Sequence, residues 1–208
     1  METMKRKTKQ AIKKTILISA VLCGLFILLS ILSLEGDRQS HGPSKQALSE
    51  QVLEYRPIVE KYATQYDVEE HVDVLLAMMM QESGGRGEDP MQSSESYCGS
   101  RGCIKDPELS IKQGVHYFSG TLEEADGDVM LAVQSYNFGK GFIDYVETNS
   151  GEYTQKAAVN FSQEMYAAAD NQAKFRCPRE EAQKIDACYG DIFYVRDVMA
   201  YTKDASEN

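Results

Sequence analysis

The sequence predicts a mainly α domain preceded by one N-terminal transmembrane helix. Three observations carry this expectation. Residues Thr15 to Leu34 run for 20 positions without a charge. Beyond residue 48, apolar side chains recur at helical rather than alternating spacing. No stretch alternates long enough for a sheet, leaving room for at most a small hairpin after Glu82.

In chain order, residues 1–14 form a basic tail with Lys5, Arg6, Lys7, Lys9, Lys13 and Lys14. The apolar run at 15–34 follows, and at about 1.5 Å per helical residue it matches a hydrocarbon layer of about 30 Å. Cations before it, against Glu35, Asp37 and Arg38 after it, place the N-terminus in the cytoplasm and the remainder outside, as a single-pass cell-membrane protein. A cleaved signal peptide is the alternative, but the run exceeds the usual apolar core of one and no small-x-small site follows. Cys23 reads as a residue of the membrane helix, because apolar sequence continues after it where a lipid-attachment site would turn polar.

Residues 35–48 (EGDRQSHGPSKQAL) are polar, contain Gly-Pro and read as a linker. A folded domain is expected over 49–203, with a short tail at 204–208. Of 208 residues, those after the basic tail carry 16 Lys and Arg against 31 Asp and Glu, a net −15. Such a field argues against nucleic acid and against charge-driven adhesion to anionic polymers, so ligand binding must rest on short-range contacts in a groove.

Within the domain, Val52, Tyr55, Val59 and Tyr62 share one helical face, with Pro57 near a helix start or kink. HVDVLLAMMMQES from His71 is apolar nearly all round, the pattern of a helix buried at a domain centre, and Gly84 and Gly85 end it. The segment from Gly84 to Asp106 is rich in Gly, Ser and Asp and reads as a long irregular loop of functional character. Ile111, Val115, Phe118 and Leu122 stack in the next helix. Asp128 is placed to cap VMLAVQSYN, which stops at FGKG. Two further helical patterns cover about Thr154 to Ala169 and Gly190 to Thr202.

Four cysteines lie beyond the apolar run, in CGSRGC (Cys98, Cys103) and CPREEAQKIDAC (Cys177, Cys188). An even number in an exported chain makes disulfides the default, and three connectivities exist. The two local pairs are favoured, since Gly99 and Gly102 let the first loop close tightly. Zinc is the weaker reading: the cysteine spacings are not the usual tight ones, and His41, His71 and His116 form no ligand pattern. No metal or cofactor is expected.

Glu82 is the residue least explained by folding. It follows the apolar run Val74–Met80 and stands at the C-terminal end of its helix, where the dipole disfavours a negative charge. Burial acts the same way, so its carboxyl should hold a proton near neutral pH, as a glycosidase general acid must. For an arbitrary Glu, an outward-turned and solvated side chain is the better assignment.

The strings QESGG and DPMQSSES, followed in order by SIKQGVHYF, AVQSYNFGKGFIDYV and YGDIFYVRDVMAY, resemble a known family over about Glu50 to Tyr201. It is the lysozyme-like muramidase domain of Gram-positive conjugative-element cell-wall hydrolases and pneumococcal vaccine antigen A-like proteins. That domain is a relative of goose-type lysozymes and soluble lytic transglycosylases.

The resemblance implies a lysozyme-like (goose-type) fold and cleavage of the MurNAc-β-1,4-GlcNAc bond of peptidoglycan, with Glu82 as catalytic acid. Asp89 is then either a second carboxylate, which positions water or stabilises an oxocarbenium-like state, or a turn starter before Pro90. Gln92, Ser93 and Ser94 fall where the family lines the floor of its glycan groove. Tyr136 and Asn137 match its Tyr-Asn-x-Gly motif, with the Tyr near the catalytic carboxyl. Read without the family, Tyr136 is a core aromatic and Asn137 a C-cap. Tyr189 and Tyr194 read as core or surface residues rather than groove residues.

Lytic transglycosylation of the same bond, or a non-catalytic wall-binding surface protein, are the alternatives. A membrane-tethered enzyme that opens the wall for a secretion or conjugation apparatus also fits the anchor. The family's frequent second, cysteine-peptidase domain is not expected within these 208 residues, which hold no free Cys-His arrangement, and the two cysteine pairs lie outside the recognised motifs.

Overall fold

The structure is a computed structural model that describes residues 47–177 and 179–202. The expected membrane span at 15–34 lies outside them, as do most of the linker and the residues after 202. Among the described residues no helix is long and apolar enough to cross a membrane, and none of them forms a strand.

Among the described residues ten α-helices follow one another: α1 (Glu50–Glu54), α2 (Arg56–Gln65), α3 (Val72–Glu82), α4 (Ser94–Cys98), α5 (Pro107–Glu124), α6 (Val129–Phe138), α7 (Gly141–Asn149), α8 (Gln155–Ala167), α9 (Glu180–Gln183) and α10 (Tyr194–Thr202). Short 3₁₀ turns occupy Glu69–His71 and Gln172–Lys174. Their starts are written in the sequence. Ser49, Asp106, Asp128 and Thr154 each accept a backbone N–H of the following first turn, supplying partners that helix ends lack. Pro57 sits in the first turn of α2, where a missing N–H costs nothing, so the apolar face from Val52 to Tyr62 is divided between two helices.

Helix α3 is the centre of the domain. Leu75, Leu76, Ala77, Met78 and Met79 have no solvent exposure, and burying each large side chain contributes about 1.5–3 kcal/mol. Helices α10, α2 and α1 pack around it, while α5 packs on α2 and α6, and α7 on α6 and α8. After Ser83, Gly84 and Gly85 take φ of +67° and +81°, left-handed conformations that stop the helix.

Two expectations need correction. The segment Gly84–Asp106 is not wholly irregular, because Ser94–Cys98 is helical and no hairpin forms among its residues. This helix carries no apolar period that would announce it. It is instead nucleated by the Asp89 carboxylate, which accepts the backbone N–H groups of Ser93 and Ser94 at 2.9 and 3.1 Å, and a negative charge at a helix start is favourable. The last helix begins at Tyr194 rather than Gly190. Asp191 is held out of helical register by its own contacts: its N–H donates to Asn137 Oδ1 at 2.7 Å and its carboxylate receives Arg179.

Helix α5 crosses the loop after α3 very closely. At Gly114 a Cβ would stand 2.7 Å from Met91 Cβ and 2.9 Å from Tyr136 Oη, so only glycine lets the two segments meet there.

Candidate active site

A cleft of about 690 Å3 opens where the end of α3, the loop after it, α5, α6 and the segment before α10 come together. Its lining includes Glu82, Asp89, Gln92, Ser94, Tyr117, Tyr136, Asn137, Phe175 and Tyr189. A smaller hollow of about 320 Å3 is lined by Arg56, Glu60, Glu70 and Asp73 among others and has no aromatic wall. Its arginine already pairs with Asp73 at 2.8 Å.

Glu82 reaches the cleft from the last position of α3. Burial pushes its carboxyl up to about 7, with the nearby charges of Asp89 and Asp191 adding to the rise and a hydrogen bond from Tyr194 opposing it. That bond runs from Tyr194 Oη to Glu82 Oε1 at 2.7 Å. Among the described residues the carboxyl has no other hydrogen-bond partner, so one oxygen is oriented and the other is left without one. Burial, then the charge of Glu82, also raises the phenols of Tyr136 and Tyr194, which keeps both as donors.

Asp89 is arranged in the opposite way. Oδ1 accepts Ser93 N at 2.9 Å and Ser110 Oγ at 2.6 Å, while Oδ2 accepts Ser94 N at 3.1 Å and Ser94 Oγ at 2.6 Å. Burial alone would raise its carboxyl, but these donors outweigh burial and hold it below its ordinary value. Ser110 Oγ also accepts Met91 N, and Ser94 Oγ accepts Ile104 N. One carboxylate thereby fastens the turn after α3, the start of α4 and the start of α5 to one another.

The remaining sequence-derived residues divide. Gln92 is exposed to the cleft at φ +50°, its Nε2 donating to Asp89 O at 2.9 Å. Ser94 lines the cleft with its hydroxyl spent on Asp89, whereas Ser93 is buried behind it and donates to Ser110 O. Tyr136 lines the cleft, but its hydroxyl donates to Met91 O at 2.8 Å; the phenol that reaches the Glu82 carboxyl belongs to Tyr194. Asn137 lines the cleft while its Oδ1 accepts the Asp191 N–H.

Tyr194, expected in the core or at the surface, is buried there with its hydroxyl on Glu82, and Tyr189, given the same expectation, borders the cleft. Phe175 was not singled out by any motif. Its signal was its place two residues before Cys177.

Both local cysteine pairs are bonded, Cys98 to Cys103 and Cys177 to Cys188, with Cα separations of 6.8 and 4.5 Å. Each bridged segment borders the cleft, the first through Arg101 and Gly102 and the second through the flanking Phe175 and Tyr189. The cleft therefore presents a protonatable carboxyl, amide and hydroxyl groups and several aromatic faces, a set suited to an uncharged polar chain such as a glycan.

Comparison with known proteins fits this geometry. Residues 49–202 match the lysozyme-like family. The chain is 43% identical over 162 residues to the bifunctional muramidase/DL-endopeptidase CwlT of Bacillus subtilis, covering 77% of this chain and 44% of that protein. It is 35% identical to the uncharacterized membrane protein YocA of the same organism, covering 79% and 74% respectively. Pneumococcal vaccine antigen A of Streptococcus pneumoniae is 38% identical over 56% of this chain and 59% of the antigen. A crystal structure of a lipoprotein-like NLP/P60-family protein from Staphylococcus aureus superposes with a TM-score of 0.66 at 39% identity, covering 78% of this chain and 56% of that one. This chain thus spans less than half of CwlT and under two thirds of the antigen. The relatives are of the kind to which the motifs around Glu82 pointed.

Proposed function

The chain belongs to the lysozyme-like family, and on that footing we propose that it is a peptidoglycan-cleaving glycosidase, a muramidase acting on the MurNAc-β-1,4-GlcNAc bond with Glu82 as general acid. The observation that carries this is a carboxyl at the end of the buried helix that lines the cleft with one hydrogen bond, from Tyr194; burial pushes it up to about 7, so it keeps a proton at neutral pH and can still release it. In the reaction the Glu82 proton passes to the glycosidic oxygen as the bond from C1 breaks. Positive charge develops on the muramic ring. Water then adds at C1 and its proton returns to Glu82.

Asp89 supports this chemistry from behind. With both oxygens committed to serine donors, it acts as a fastening for the loop that carries Gln92. The same observation favours a second reading of the capture step. A cleft with one unoccupied carboxyl suits lytic transglycosylation, in which the muramic 6-hydroxyl adds to C1 in place of water and leaves an anhydro end. The muramidase reading draws its support from the kinship with CwlT.

We also propose that residues 15–34 anchor the chain in the cell membrane, with the 49–203 domain facing the wall across the 35–48 linker. The uncharged run and the cations before it support this, as does the likeness to a membrane protein, YocA. Peptidoglycan glycan strands are then the partner, and a secretion or conjugation apparatus is a fitting setting.

Digestion of purified peptidoglycan, with the products identified by mass, tests the proposal. Reducing muramic ends are the expected result, and anhydro-muramic ends would transfer the assignment to transglycosylation. An intact wall, under conditions where a known muramidase works, would sink both.

A further inference from the structure

We infer that Phe175 and Tyr189 form a stacking subsite for an N-acetylhexosamine ring within the cleft, held in place by the Cys177–Cys188 bridge. The inference rests on reading the cleft as a glycan site. Both residues line it and both stay partly exposed, with ring centroids 5.6 Å apart and planes inclined by 50°.

Tyr189 is pinned at three points. Its hydroxyl donates to Phe138 O at 3.1 Å, its N–H donates to Ser162 Oγ, and its carbonyl accepts the same hydroxyl. Phe175 is tied more locally, its N–H donating to Gln172 O at 3.0 Å within the turn that precedes it. It follows the 3₁₀ turn Gln172–Lys174 in extended backbone at φ −91° and ψ 119°. An apolar ring on such a segment gains by turning inward, away from water. What keeps it at the cleft is the bridge two residues later, which joins its segment to the residue preceding Tyr189, together with a T-shaped contact with Tyr166, ring centroids 6.1 Å apart. Arg179 adds a further tie, donating to both oxygens of Asp191.

Two partly exposed aromatic rings at the cleft, on segments joined by a covalent bridge, match one ligand chemistry well. Pyranose rings carry an apolar C–H face that packs on aromatic rings, while their hydroxyl and N-acetyl groups reach the amides and hydroxyls elsewhere in the cleft. The bridge is therefore a positioning element for substrate binding, and Phe175 is its working end.

The test uses the full chain and peptide-free glycan strands of alternating N-acetylglucosamine and N-acetylmuramic acid, with KM and kcat measured separately. Phe175→Ala should raise KM about tenfold and leave kcat within about twofold. Phe175→Leu, which keeps apolar bulk without a ring, should behave like the alanine variant, and Phe175→Tyr should restore the parent KM. Replacing Cys177 and Cys188 together by Ser should raise KM in the same direction. A leucine or alanine variant with the parent's KM, in a chain that cuts glycan, overturns the subsite and leaves the glycosidase assignment standing. A parent chain that neither binds nor cuts these strands overturns both.

Discussion

The end of α3 and the turn seven residues beyond it each bring a carboxylate to the same cleft, and the two are treated in opposite ways. Glu82 ends a helix whose preceding turns are buried and apolar, and it receives one hydrogen bond. Asp89 receives four close donors from three serines. One carboxyl is held up at about 7 and the other is held below its ordinary value. The number of donors aimed at a carboxylate decides the direction here, because burial alone would raise both. A group that must exchange a proton is kept short of partners, whereas a group that must hold a fold is given as many as its oxygens accept.

The largest expected effect is at Glu82. Glu82→Gln should lower peptidoglycan cleavage by about 10²–10⁴-fold, the usual worth of a positioned general acid, measured as release of new chain ends. Because the folded-state carboxyl titrates above its ordinary 4.5, its contribution to stability is full below that value and is lost as pH rises through about 7. Glu82→Gln should accordingly match the parent in denaturant unfolding at pH 4 and exceed it at pH 8. A variant less stable than the parent at pH 8 would mean that Glu82 holds the structure in the way Asp89 does.

Asp89→Asn should cost about 2–4 kcal/mol in stability, since an amide NH2 would confront donors where an oxygen now accepts them. Activity should fall with it, through loss of the loop. The sign with pH is reversed: a lowered carboxyl contributes stability above its ordinary 3.8, and this is lost as pH falls through the folded value. Acid unfolding of the parent should therefore steepen below pH 4, and that limb should be absent from the variant. If Asp89→Asn folds as well as the parent yet is inactive, the contrast between the two carboxylates collapses and Asp89 joins the chemistry.

The smallest effect is at Tyr194. Its hydrogen bond is what lowers the Glu82 carboxyl against burial, so Tyr194→Phe should move the alkaline limb of the activity profile upward by about half a unit to one unit. An unmoved or lowered limb would show that another group sets the proton affinity of Glu82.

Much of this was legible along the chain, and the remainder was hidden for definable reasons. Glu82 stands out because a helix apolar on every side ends on a charge. The helix starts were marked by Ser49, Asp106, Asp128 and Thr154. Neighbours distant in sequence were not legible: Tyr194 lies 112 residues from the carboxyl it touches, and Ser110 lies 21 from Asp89. Periodicity sees only one segment at a time. Tyr136 matched a motif, yet its hydroxyl serves the Met91 carbonyl, because a motif names a residue without naming its partner. Helix α4 was missed because a side chain from outside caps it and no apolar face marks it.

Gly114 bears on any attempt to stabilise the domain. A glycine inside an 18-residue helix is the first substitution an engineer would choose, since alanine there usually returns about 1 kcal/mol. Here the added methyl would press on Met91 Cβ and the Tyr136 hydroxyl, and so on the turn that positions Asp89 and Gln92. Overpacking of that kind costs about 1–3 kcal/mol, so the expected gain in helix propensity is cancelled or reversed, and the cleft is reshaped by the same substitution.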